Sequence, residues 1–222
     1  MGLILNIDTS TETASVSIAR DGAILSFIDN AVQKEHASFL HTAIKNILQQ
    51  AGVNPDQINA VAVTEGPGSY TGLRVGMAAA KGLSYALNIP FITIGTLTAM
   101  AFAAASTNKN AGHYYCPMID ARRMEVYTAL YNSDIKAILP VCAIVLTDKS
   151  FIKELTTNKI IFFGSGMKKW KAITNNNNCI FLEEINFSVA MAKLSHINFI
   201  EKNFTELINS QPLYVKEFYN GN

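Results

Sequence analysis

Charge is scarce in this chain. Of its 222 residues only 16% are Asp, Glu, Lys or Arg, and the formal net charge is +1. The longest basic runs are the pairs Arg122-Arg123 and Lys168-Lys169. A protein that grips RNA unaided carries a basic stripe, so any contact with RNA is expected to be indirect or made inside a complex. Cysteine is scarce as well: Cys116, Cys142 and Cys179, an odd number without short spacing. That excludes a disulfide frame and a zinc-ribbon pattern, and it points to reduced thiols in a cytoplasmic chain. No apolar stretch is long enough to span a bilayer, and no signal-peptide pattern is visible. The four histidines, His36, His41, His113 and His196, include no i,i+4 pair that would aim two imidazoles at one metal. No metal site and no catalytic nucleophile with a nearby base is expected.

Apolar residues, in contrast, reach 49%. Disordered chains have the opposite balance. The length allows one large domain or two small ones, and the apolar excess requires either an ample core or a surface that meets a partner.

The pattern along the chain is that of an α/β protein. Leu3–Asp8 is a short apolar strand. Ala14–Arg20 alternates with strand period, Asp21-Gly22 is a hairpin signal, and 23–28 returns. Ala37, Leu40, Ile44, Ile47, Leu48 and Ala51 then repeat at three and four, and Gly52 ends that helix. Strand 58–63, helix 71–87, strand 91–94 and helix 97–105 follow. After the polar stretch 106–112 the opening pattern recurs, with strands at 114–120, 124–131 and 137–146. A short helix at 149–155, strand 159–163, a Gly164-Ser165-Gly166 turn, a second short helix and an amphipathic helix at 188–203 complete the chain.

Ile7-Asp8 and Ile119-Asp120 each end the first strand of a three-strand meander. The repeated order predicts a duplicated, two-lobed architecture of the actin-like ATPase and sugar-kinase-like (ribonuclease H-like) type. The expected lobes are 1–105 and 106–222, the second shortened and poorer in helix. In such folds the first hairpin of a lobe grips phosphate, with a carboxylate at the strand end and backbone N–H groups in a small-residue turn. Asp8 and Ser10 are candidates for this role, as are Gly66 and Gly68 at the entrance to the second helix. Ser10 stands where a glycine would let phosphate approach the backbone, so the site reads as vestigial. Asp8 serves equally as a polar strand end bonded to backbone, and Ser69 or Thr71 as helix caps. Asp8→Ala is accordingly expected to cost little activity.

The second helix carries a further signal. On a helical wheel Gly72, Val75, Gly76, Ala79, Leu83 and Ala86 share one face, which is expected to lie against the sheet. Arg74, Met77, Ala78, Lys81 and Tyr85 share the other, and only two of these are charged. With Phe39 from the preceding helix they form a candidate partner interface, rich in residue types that interfaces favour. A charge at Met77 is expected to weaken association and leave the fold intact.

The segments Ile7-Asp8-Thr9-Ser10-Thr11, Gly66-Pro67-Gly68-Ser69-Tyr70-Thr71-Gly72-Leu73-Arg74-Val75-Gly76, Lys81-Gly82-Leu83 and Ile119-Asp120-Ala121-Arg122 together resemble the TsaB (YeaZ) family, also labelled glycoprotease-like M22. The resemblance is strongest over residues 1–131. It implies a cytoplasmic, two-lobed subunit that pairs with a catalytic paralogue of the TsaD type and a small ATPase of the TsaE type. In that complex the paralogue transfers threonylcarbamoyl to the adenosine next to the anticodon of tRNAs reading ANN codons. The resemblance also implies association through the first two helices, with the paralogue or in a homodimer. It implies no catalytic residue and no cofactor of the chain's own, a nucleotide at the shared surface being left open. The catalytic paralogue holds a metal through a His-x-x-x-His pair, and here Thr98 and Phe102 stand at those places. Phenylalanine cannot ligate a metal and threonine is a poor substitute. The rival readings are an active small-molecule kinase of the same fold and an M22-type peptidase.

Overall fold

A computed structural model of the chain describes residues 2–31, 36–108, 112–183 and 185–216. The chain divides into two compact units, one of residues 1–99 and 188–213 and one of residues 100–187 and 214–222.

In the first unit β1 (Leu3–Asp8), β2 (Ala14–Arg20) and β3 (Ala23–Asn30) form an antiparallel meander. β4 (Ala60–Gly66) and β5 (Phe91–Gly95) extend it in parallel, in the order β3-β2-β1-β4-β5. Every residue of β1 is buried, as expected of a central strand covered on both faces. Helices α1 (His36–Ala51) and α2 (Tyr70–Leu87) cover one face, and Leu5, Ile7, Val16, Ile18, Leu40, Ile47, Val61, Val63 and Met77 form its core. The side chain of Ala37, counted in the periodicity of α1, lies outside the described residues. Helix α3 (Thr96–Thr107) carries the chain out of this unit, and α6 (Ser188–Ile200) returns to pack on β1, β2, β3 and β5.

The second unit repeats the plan. Strands β6 (Tyr114–Asp120), β7 (Glu125–Tyr131) and β8 (Ala137–Val145) form the meander, and β9 (Ile160–Phe163) and β10 (Cys179–Leu182) join in parallel. The order β8-β7-β6-β9-β10 matches that of the first sheet strand for strand. Short helices α4 (Ile152–Leu155) and α5 (Met167–Lys171) stand where the first unit has α1 and α2. The core is aromatic: Phe151, Phe162 and Trp170 form a triangle of rings with centroids 5.5–5.8 Å apart. Large rings fill with few residues the volume that long helices fill in the first unit.

Three features depart from the sequence reading. The lobes are not the contiguous stretches 1–105 and 106–222. α6 belongs to the first unit because the sheet face opposite α1 and α2 needs an apolar cover. Part of the expected boundary, 109–111, lies outside the described residues. β10 was not expected, its four residues being too few for a period to register. Finally, residues 201–213 form an ordered strap. The Thr205 N–H donates to the Phe91 carbonyl (2.8 Å) and the Thr205 hydroxyl accepts from the Thr93 N–H (3.0 Å), which closes the open edge of β5. The Leu213 N–H donates to the Glu65 carbonyl (2.7 Å). Among the described residues, no helix is long and apolar enough to cross a membrane.

Candidate functional site

Asp8 ends β1 and is buried, 5% exposed. One carboxylate oxygen accepts from the Ser10 N–H (3.0 Å), the Ser10 hydroxyl (2.6 Å) and the Thr64 hydroxyl (2.7 Å). The parallel register that sets Ile7 beside Val63 delivers Thr64 to this point. Sequence reading missed Thr64, although pairing the two central strands would have found it. The turn that follows lies directly on the start of α2. The Thr9 hydroxyl donates to the Gly72 carbonyl (2.7 Å), and the Ser69 N–H donates to the Ser10 carbonyl (2.7 Å). A Cβ added at Gly68 would overlap the Ser10 carbonyl, and one at Gly72 the Thr9 carbonyl. Of the two glycines read as a phosphate cradle, Gly68 thus admits the protein's own turn, and a Cβ at Gly66 would lie 2.7 Å from the Leu213 carbonyl. Ser69 caps α2, its hydroxyl accepting from the Gly72 N–H (3.3 Å).

Asp120 holds the equivalent place in the second unit and makes the same i→i+2 bond, accepting the Arg122 N–H at 2.6 Å. The later partners differ. The same oxygen accepts the Lys169 ammonium at 2.7 Å, and Lys169 also donates to the Glu125 carbonyl (3.0 Å). The Ser165 hydroxyl, in the Gly164-Ser165-Gly166 turn, accepts the Asp120 N–H (3.0 Å). Partial burial pushes the Asp120 carboxyl up, but the Lys169 ammonium and the Arg122 N–H outweigh it and hold the group below its ordinary range.

The expected interface residues separate into two sets. Arg74, Ala78 and Tyr85 are exposed on α2, Tyr85 at 80%, and the Arg74 guanidinium lies 4.0 Å from the centroid of the Tyr70 ring. Met77 is buried at 3% and belongs to the first core, together with Leu73, Gly76, Ala80 and Ser84 on the same side of α2. The expectation that it faces outward is corrected: α2 is turned by about one residue from the wheel drawn above. Nearly every residue from 75 to 80 is small or apolar, so the sequence carried little angular information. Ala86, expected inside, is exposed. Phe39 is half-buried and packs against the first core. The Lys81 ammonium donates to the carbonyls of Ile208 (3.0 Å) and Ser210 (2.9 Å), so it fastens the strap.

Thr98 and Phe102 are both half-buried, four residues apart on α3. Among the described residues, no three His, Cys, Asp or Glu side chains group as metal ligands would. Burial pushes the Cys116 thiol far above its ordinary value, which makes it an unreactive core residue.

A family model described as TsaD, tRNA N6-adenosine threonylcarbamoyltransferase, matches residues 27–148. The chain is 38% identical over 131 residues to the tRNA threonylcarbamoyladenosine biosynthesis protein TsaB of Escherichia coli, a match that spans 59% of this chain and 55% of that protein. It is 28% identical over 222 residues to the Haemophilus influenzae protein of the same name, spanning 96% and 93%. Among solved structures, a Pseudomonas aeruginosa protein described as similar to peptidase YeaZ superposes with a TM-score of 0.82 at 23% identity, covering 97% of this chain and 100% of that one. A likeness at that identity speaks for the fold.

Three outcomes follow for the purified protein. Gly72→Ala lowers stability by about 1–3 kcal/mol through overpacking. Gly82→Ala, where an added Cβ meets nothing within 4 Å, instead raises it by up to about 1 kcal/mol. Thermal or urea unfolding of the two variants reads the opposite signs. Met77→Glu puts a charge in the core and costs about 3 kcal/mol or more, whereas Tyr85→Glu leaves the midpoint within about 0.5 kcal/mol of wild type. The Asp120 pair contributes above the unfolded carboxyl pKa of about 4 and is lost as the pH falls through the lower folded value. Asp120→Asn is therefore less stable than wild type at neutral pH, by under about 1 kcal/mol for so exposed a pair. The difference closes in acid, and unfolding curves recorded across pH 3–7 measure it.

Proposed function

This chain belongs to the TsaB (YeaZ) branch of the tRNA N6-adenosine threonylcarbamoyltransferase family, and on that premise we propose that it is the non-catalytic partner subunit of a TsaD-type transferase. Its place is in tRNA threonylcarbamoyladenosine biosynthesis. In this reading the paralogue performs the transfer, and a TsaE-type ATPase completes a cytoplasmic assembly. The chain contributes a surface.

The outer face of α2 carries this reading. Ala78, Gly82 and Ala86 recur every four residues along it and are exposed, and Arg74 and Tyr85 flank them. The fold places no atom within 4 Å of a Cβ at Gly82, so packing inside the chain does not call for a glycine there. A row of small side chains lets a second helix approach closely, and an exposed tyrosine beside an arginine is the composition of an interface anchor. Two further observations support an accessory role. The Asp8 carboxylate is engaged by Ser10 and Thr64, and at the start of α2 the Ser69 N–H is taken by the Ser10 carbonyl and the Gly72 N–H by the Ser69 hydroxyl. Thr98 and Phe102 occupy α3 where a metal-binding member would present imidazoles.

Size-exclusion chromatography with light scattering, on this chain mixed with the TsaD-type paralogue of the same organism, tests the reading. A mixed species is expected. Tyr85→Glu, which leaves the fold intact, is expected to weaken it at least tenfold, about 1.4 kcal/mol. Threonylcarbamoyl transfer to tRNA then falls with the fraction of complex formed. No mixed species, with or without nucleotide and the ATPase, would sink the proposal. An undiminished affinity of Tyr85→Glu would move the interface off α2.

A further inference from the structure

Folding sorts charges that the sequence interleaves. The first unit holds seven Lys and Arg against nine Asp and Glu, whereas the second holds eleven against eight. The chain's net +1 thus combines a unit of −2 with a unit of +3.

Within the second unit one group of these cations sits on a hydrogen-bonded support. Arg122 and Arg123 form the tip of the β6–β7 hairpin and are both exposed. The Asp120 oxygen that accepts the Arg122 N–H also accepts the Lys169 ammonium, so one atom holds the tip against α5. The Ser165 hydroxyl and the Glu125 carbonyl add the bonds already described. α5 carries Lys168 and Lys171 beside Lys169. Among the described residues, three carboxylates around this ridge are each matched with one lysine: Asp120 with Lys169, Glu125 with Lys216 and Glu183 with Lys171. Among the described residues, Arg122, Arg123 and Lys168 enter no ion pair. Three cations remain on a fixed support.

The backbone sharpens the point. Arg122 has φ 69° and Arg123 φ 47°, a left-handed conformation that Asn or Gly enters more readily than Arg. A tip that only had to reverse the chain would be served better by those residues. The two guanidiniums are held where bending the chain gives no reason for them.

We propose that this ridge contacts the phosphate backbone of RNA, with Arg122 and Arg123 as forked donors and Lys168 as a point charge. The inference rests on the reading of this chain as part of a tRNA-modifying complex, which supplies the polyanion. A hairpin tip beside a five-residue helix suits discrete phosphates, and it lacks the long amphipathic helix by which a protein lies on an anionic bilayer. Because the cations are few, the contact adds to an RNA surface supplied mainly by the partner.

The test is fluorescence anisotropy of an in vitro transcribed tRNA that reads an ANN codon. The full-length chain mixed with its TsaD-type paralogue is titrated between about 50 and 200 mM salt. Arg122→Asn/Arg123→Asn removes two charges and keeps residues that accept positive φ. It is expected to weaken binding about tenfold at the low-salt end and to lower the slope of log affinity against log salt by about 2. Arg122→Lys/Arg123→Lys restores most of that slope. Lys168→Gln, on the exposed side of α5, lowers it by about 1 and provides an independent reading should the hairpin variant fail to fold. An unchanged slope in folded variants overturns the proposal, as does binding of anionic vesicles through the ridge in preference to tRNA. Failure of the underlying functional reading has a different signature, since the chain and its paralogue then form no mixed species. The chain is in that case titrated alone, and a slope indifferent to all the substitutions overturns the ridge by itself.

Discussion

The contact between the first turn and the second helix is the constraint on which the first unit depends. Asp8 ends the central strand inside the protein, and its carboxylate needs partners there. Ser10 and Thr64 supply them, which fixes the turn after β1 and ties it to β4. The turn can then rest on α2 only because Gly68 and Gly72 have no side chains at the point of contact. The axial position and rotation of α2 follow from this seating. They bury Leu73 and Met77 and leave Ala78, Gly82 and Tyr85 outside. A polar strand end thereby decides which face of a helix that begins 62 positions further along the chain is offered to a partner.

The second unit uses the same device with different atoms. Asp120 repeats the bond from the residue two positions on, and a glycine-containing turn after the parallel strand again approaches the meander closely: a Cβ at Gly164 would lie 2.5 Å from the Met118 carbonyl. Here a lysine on a short helix does what threonine and a long helix do in the first unit. The consequence is electrostatic. A hydroxyl partner leaves the first turn buried and sealed, whereas an ammonium partner keeps the second at the surface among cations. One duplicated architecture thus yields a packing surface in one unit and a charged ridge in the other.

Much of the fold was legible in the sequence because it rests on local periodicity. The alternation in 14–20, the helical repeat from Leu40 to Ala51 and the recurrent Ile-Asp strand ends located the meanders and the duplication. The Gly-Pro-Gly-Ser-Tyr-Thr-Gly string was also found, but its use was not. Glycines that admit a phosphate and glycines that admit a carbonyl look alike until the neighbouring strand is in place. The orientation of α2 was misread for a related reason, since Ala78, Ala79 and Ala80 give a helical wheel almost no polarity. Lys81 looked like an interface residue because the carbonyls it binds lie more than 120 positions downstream.

By itself the sequence determined the order and type of every strand but β10 and of the main helices, the two carboxylates that end the central strands, and the family to which those turns belong. Each of these is set by side chains within a few residues of one another. Only the tertiary structure decided that α6 and the strap return to the first unit, that Met77 is core and Tyr85 surface, and that a nearly neutral chain carries a basic ridge. These depend on which distant segments share a face. Burial and electrostatic energies are sums over neighbours in space, and neither the periodicity of a strand nor the net charge of a chain records who those neighbours are.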